Sequence, residues 1–288
     1  MKKPRWMFSI IFAAVLVAVA APEPQGVKLG QNAALRYWSA FAQMQDSPLT
    51  DLQVKELSAI LKGTTPYDDA KFKDLVEENK PALETMARGT ALANCDWGLD
   101  YELGPETPID YVGRATALAR LNVFYAFHLV GAGDKEGAVQ ALVAGLRFSR
   151  NIADGGPLIA TLLAKDSLAK HLDAVAFVVR TQAISSQQRQ ALAKALVELG
   201  VDPLDWQSTI NLEMAALKVL PWPSSASAER VTQAYLNALG DPSGLPKLQG
   251  LIASLPKPIQ GSIPNLGRVL KERQDLKEKL RETRSLLQ

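Results

Sequence analysis

The chain has 288 residues, a net charge of +2, 47% hydrophobic and 22% charged residues, and one cysteine, Cys95. Its 40 Ala and 41 Leu are strong helix formers, which excludes a disordered or collagen-like chain and argues against an all-β sandwich. A single cysteine excludes a disulfide scaffold, and the near-neutral balance lacks the basic excess of a nucleic-acid binder.

Lys2, Lys3 and Arg5 precede an apolar run over residues 6–21, and Ala18-Val19-Ala20 has the small-x-small order that a signal peptidase reads. Cleavage after Ala20 is expected. It removes three basic residues and no acid, leaving a net charge of −1. The expected destination is the periplasm or the exterior, and one cysteine suits an oxidising compartment. The alternative is an uncleaved N-terminal anchor through residues 1–21, although the run falls short of the roughly 20 residues that a spanning helix prefers.

Residues 31–45 carry Ala34, Tyr37, Trp38, Phe41 and Ala42 at helical spacing. Thr50 is placed to cap a second helix through Leu57, Ile60 and Leu61, with Gly63 beyond its end. Residues 67–79 and 81–92 read as two helices, Pro81 opening the second. From 93 to 108 the pattern breaks at Asn94, Gly98, Gly104, Pro105 and Pro108.

A long helix follows over 109–130, with Val112, Leu121, Phe124, Tyr125 and Leu129 contributing to its apolar face. Gly131-Ala132-Gly133-Asp134 is a turn, and Asp134 caps a helix through Ala138, Leu142, Leu146 and Ile152 that stops at Gly155-Gly156. Pro157 opens a helix to about Arg180, and Ser185 with Gln188 forms a capping box for one ending at Gly200. Residues 203–218 and 227–239 complete the set. Connections this short make neighbouring helices antiparallel, so the expected fold is all-α, an array of stacked antiparallel helical hairpins spanning 27–240. Five prolines between 242 and 264 mark a linker over 241–264 with one short helix near 248–255. Residues 265–288 form a charged helix with seven basic residues against four acids.

The block over 109–200 resembles uncharacterised exported bacterial α-helical proteins. The shared order is a Trp-containing irregular segment, an Arg-rich long helix, a Gly-Asp turn, and a helix ending Leu146-Arg147 before a Gly-Gly-Pro-Leu-Ile restart at 155–159. That resemblance implies export and a helical fold, with no activity attached. Gly133, Asp134 and Ala138 are also similar in architecture to the turn of tetratricopeptide-type repeats.

The inventory for chemistry is thin. His128 and His171 fall in different helices, with no His-x-x-x-His or Cys-x-x-Cys spacing. Both read as structural histidines, His128 on an apolar helix face. Ser167-Leu168-Ala169-Lys170 matches Ser-x-x-Lys, but in mid-helix and without the partner motifs that acyl-enzyme sites need. No catalytic residue, metal ligand or cofactor is therefore assigned. The one segment with ligand-binding features is the irregular loop, where Asp96, Trp97, Asp100, Tyr101 and Glu102 are followed by Glu106. Acids in such a loop can gather around calcium, and aromatics can stack on a sugar or a side chain. The plainer expectation is that Trp97, Leu99, Tyr101 and Leu103 turn inward from an extended chain while the acids stay in water.

Three functions fit these features. The first is a non-enzymatic protein- or peptide-binding module of the cell envelope. The second is a hydrolase using acids of the 96–110 loop. The third is an anchored structural protein touching a membrane through residues 1–21 or the basic helix 265–288.

Overall fold

The computed structural model describes residues 31–45 and 49–288. The signal-peptide and anchor readings of the N-terminal segment lie outside those residues. Among the described residues there are twelve α-helices and no strand, and no helix is long and apolar enough to cross a membrane.

Helix starts follow from side chains that satisfy the orphan N–H groups of a first turn. Asn32 caps α1 (Ala33–Gln43), and Thr50 with Gln53 forms a capping box on α2 (Asp51–Leu61). Asp134 accepts from the Gly137 N–H at the start of α5 (Lys135–Asn151), and Ser185 with Gln188 closes the box on α7 (Ser186–Glu198). Between α4 (Tyr111–Gly131) and α5 the chain reverses in three residues, with Gly133 at φ +83°, a left-handed conformation that favours glycine. The two helices form the tightest hairpin of an all-α array, and α6 (Leu158–Thr181) packs on both.

Three stretches differ from their sequence reading. Residues 67–92 do not form two helices, because α3 runs unbroken over Asp69–Gly89 with Pro81 inside it. Phe72, Val76, Asn79, Leu83 and Met86 keep helical spacing across the proline and are all buried. That continuous face outweighs the one hydrogen bond Pro81 cannot make, and Pro81 itself is exposed. The helix read from Pro203 starts three residues later as α8 (Trp206–Ala216), because the Asp205 carboxylate accepts from Ser208 N–H and fixes the start there. The stretch 241–264 is no free linker. After α9 (Ser225–Gly240) it holds α10 (Leu245–Ala253) and α11 (Lys257–Ser262), with Leu248 and Ile259 buried. Pro242, Pro246 and Pro258 sit in first turns, where their missing N–H costs nothing.

The basic last helix, α12 (Leu266–Ser285), lies along α6, α7 and α9. Two of its cations pair across to the rest of the fold, Lys279 with Asp173 and Arg273 with Asp202, each at 2.5 Å. Arg284 donates to the carbonyls of Leu196 and Gly200, closing the C-terminal end of α7.

At the meeting of α4, α5 and α6 is a sealed polar network. Asn122 Nδ2 donates to Ala141 O at 2.9 Å and approaches His171 Nε2 at 3.1 Å. His171 Nδ1 lies 2.9 Å from Ser167 O and 3.0 Å from Ser149 Oγ. A carbonyl facing Nδ1 and an amide donor facing Nε2 assign the proton to Nδ1 in a neutral ring. Burial pushes the imidazole pKa down from 6.5 to about 4, so the unfolded chain binds the extra proton between those values. Stability from this site is complete above pH 6.5 and is lost as pH falls toward 4. Urea unfolding should give roughly 2 kcal/mol less stability at pH 5 than at pH 8 from this group. That part of the slope should be missing in His171→Gln, measured in parallel.

Candidate functional site

The segment over 93–108 docks on the C-terminal end of α5, where the last carbonyls of a helix have no partners of their own. Side chains of the loop and of α4 supply those partners. Trp97 Nε1 donates to Asn151 O at 2.9 Å, Tyr111 OH to Ile152 O at 2.9 Å, and Tyr101 OH to Gly155 O at 2.5 Å. Asn151 Nδ2 in turn donates to Tyr37 OH at 2.7 Å. The Asn32 side-chain amide pairs with both backbone groups of Asp96, and Ala33 N–H donates to Asn94 O. The loop is thus pinned between α1 and α5.

Trp97 is the hub. Its ring stacks on Tyr111 with centroids 3.9 Å apart and lies parallel to Phe41 at 6.1 Å. Cys95 is buried beside it, and burial pushes the thiol pKa far up, which keeps it protonated and unreactive.

Of the five loop residues singled out in the sequence, Trp97 is buried and Tyr101 half-buried, while Asp96, Asp100 and Glu102 are exposed. The acids shape the backbone: Asp96 accepts from Gly98 N–H, and Asp100 accepts from Glu102 N–H at the head of a 3₁₀ turn over Tyr101–Glu106. That turn corrects one expectation. The in-out alternation ends at Tyr101, and Leu103, expected inside, is 52% exposed. Among the described residues no three of His, Cys, Asp and Glu are placed to hold a metal ion.

His128, read as a core histidine on an apolar face, instead bridges two acids of α3. Its Nδ1 is 2.7 Å from Asp69 and its Nε2 is 3.3 Å from Glu77. It ties α4 to α3, and its two nitrogens face different carboxylates.

A concavity next to the docked loop was not visible in the sequence. A cleft of about 820 Å³ runs between the α5–α6 turn, the α7–α8 connection, the end of α9 and one residue of α12. Arg150, Asp154, Asp202, Asp205, Trp206 and Arg273 stand in its wall. Arg273 donates to Asp202 Oδ2 at 2.5 Å and to Leu239 O at 2.8 Å, and Arg150 donates to Glu198 O at 3.4 Å. Asp205 is held by Ser208 N–H at 2.9 Å and Ser208 Oγ at 2.7 Å. Asp154 makes no side-chain hydrogen bond or ion pair among the described residues. It is exposed on its outer side, yet the wall around the carboxyl, together with the charges of Asp205 and Asp96, holds its pKa above the usual carboxylate range against the pull of Arg150. Trp206 is 2% exposed with Nε1 lacking a partner, and Asp202 Oδ1 is likewise buried without one.

The signal for this cleft was Asp202-Pro203-Leu204-Asp205-Trp206 facing Asp154-Gly155-Gly156. Two such turns, with α6 and α7 between them, carry no periodicity that marks them as neighbours. No protein-family model matches the chain, and neither curated proteins nor solved structures gave a match.

Proposed function

We propose that the chain is an exported, non-enzymatic binding module of the cell envelope whose cleft holds a segment of a peptide or protein partner. The cleft carries this reading. At about 820 Å³ it lies within the range of ligand-binding concavities, and four separate elements wall it. Its polar side chains are spread along the wall, which suits an extended ligand making several contacts. The inventory of chemistry supports a binder over an enzyme. The single thiol is buried and protonated, His171 is sealed in the core, and His128 is held between two acids. The basic n-region, apolar run and Ala18-Val19-Ala20 order support export.

The test is hydrogen exchange on the purified chain with pools of short peptides. Slowed exchange should appear at 150–156 and 199–209 and should vanish in Gln207→Trp, which fills the cleft from an exposed position. Protection confined to other segments, or hydrolysis of the peptides by the chain, would overturn the proposal.

A further inference from the structure

Resting on the cleft as a peptide site, we infer that the bound segment carries an aliphatic side chain flanked by basic residues, and that this side chain enters a second pocket at the far end of α8. The first half of α8, with Gln207 and Ser208, walls the cleft, and its last turn, with Glu213 and Ala216, walls the pocket. Leu212 belongs to both. Tyr101 lines the pocket and Gly155 the cleft, and the hydrogen bond between them is the partition. From Gln207 to Ala216 is roughly 14 Å of helix, a length that about four extended residues cover. One extended segment therefore reaches both.

The pocket holds about 170 Å³ and is walled by Ile109, Pro157, Ile159, Leu212, Ala216 and Leu217. A concavity of that size, lined by carbon, fits a hydrocarbon group as large as benzene. Its polar side chains are turned to the protein's own backbone. Tyr101 OH donates to Gly155 O, Thr107 Oγ1 to Asp100 O and Gly104 O, and the Glu213 carboxylate accepts from Leu158 N–H. What the pocket offers an occupant is hydrocarbon contact. The rim is apolar as well: Ile159 is exposed, the exposed Val219 stands against Gly104, and Leu103, the residue before Gly104, is exposed. Eight large hydrophobic residues are exposed among the described residues, and three of them gather here. Single exposed aliphatics are ordinary on a protein surface, whereas a cluster round a hole marks a contact.

Charge selects the occupant. The elements around the pocket bring Asp100, Glu102, Glu106 and Glu213 against one base, Lys218. Glu102 and Glu106 are exposed, and their side chains make no hydrogen bond or ion pair among the described residues. A second copy docked about a two-fold axis would set these acids against their own kind, and an anionic bilayer would be repelled. A peptide with lysine or arginine on either side of an aliphatic residue answers both the hole and its rim of acids.

Calorimetric titration with the acetylated, amidated hexapeptide Gly-Gly-Gly-Lys-Leu-Lys tests this, with hydrogen exchange locating the contact. The peptide should bind, slow exchange at 101–109 and 212–217 together with 199–209, and weaken with added salt. Replacing its leucine by alanine should lower affinity about tenfold, because buried carbon is lost. Replacing its lysines by glutamate should abolish binding. On the protein, Ala216→Phe fills the pocket and should erase the difference between the leucine and alanine peptides. Ile159→Lys puts a cation on the rim and should abolish binding of the leucine peptide. Ile159 is exposed, so that variant should keep the parent's thermal melt. Equal affinity of the leucine and alanine peptides, or unchanged binding in Ile159→Lys, would overturn the inference. So would a dimer in sedimentation that Ile159→Lys splits, which gives the pocket to a second copy. If 199–209 is protected alike by the leucine and alanine peptides, the cleft remains a binding site and only the side-chain assignment falls. If no peptide protects either segment, both readings fall.

Discussion

Trp97→Ala should destabilise the protein by about 3–5 kcal/mol, the range for deleting a large buried aromatic. The ring is 7% exposed, stacked on Tyr111, and tilted against Tyr37 at 5.7 Å. Its removal opens a cavity between α1, α4 and the loop, and it leaves Asn151 O without the indole donor. Because that carbonyl ends α5, the damage should reach the α5–α6 turn and with it one wall of the cleft. Urea unfolding reads the stability, and hydrogen exchange at 150–156 reads the turn. Asp100→Asn, three residues along, is the control. Its carboxylate is exposed and caps a short turn, a task asparagine performs equally well, so the loss should stay within about 0.5 kcal/mol. A small effect at Trp97 would mean that the loop is not what closes this end of the array.

The contrast between those two residues shows what was legible. Trp97 could be read as buried because alternation with polar neighbours is a local pattern, and local patterns survive folding. Helix starts at Thr50, Asp134 and Ser185 were legible for the same reason, since a cap and the N–H it accepts from are three residues apart. Leu103 was misread because Asp100 starts a 3₁₀ turn that ends the alternation. Pro81 was misread in the opposite sense. A proline is a local breaker, and only the tertiary burial of Phe72, Val76, Leu83 and Met86 shows why the helix continues through it. The 241–264 stretch was read as a linker from its prolines, while Leu248 and Ile259 are anchored by contacts that composition does not register.

The candidate site was less legible than the fold. Asp154 and Asp205 are 51 positions apart and meet only because α6 and α7 run out and back between them. Neither the acids nor Trp206 follow a catalytic or metal-binding spacing, so sequence weighting favoured the denser cluster at 96–102. Those loop acids hold the backbone of a segment whose aromatics close the end of α5. The open concavity lies next to it, where the chain provides charge without a motif.

Gly145→Ala should destabilise by about 3 kcal/mol, although alanine is the better helix former by roughly 1 kcal/mol. A methyl group at this position would run into His171 Nε2 and Asn122 Nδ2. Neither atom can simply move aside. Asn122 is held by Ala141 O, and His171 is held by Ser167 O and Ser149 on its other face. Both side chains are completely or almost completely buried. Shifting either one breaks hydrogen bonds that water cannot replace, so the cost combines overpacking with unsatisfied polar groups. Gly113→Ala supplies the reference. Gly113 lies in the exposed face of α4, and nothing stands within 4 Å of an added methyl. There the substitution should stabilise by about 0.5–1 kcal/mol, through helix propensity alone. Opposite signs at two helical glycines, read from urea midpoints at pH 8, would show that glycine at 145 is required by the approach of α5 to the α4–α6 pair. Stabilisation at both positions would mean that the Asn122–His171 pair repacks freely. The pH dependence assigned to His171 should then be shallow as well, since a ring that can move can also find water and take up its proton.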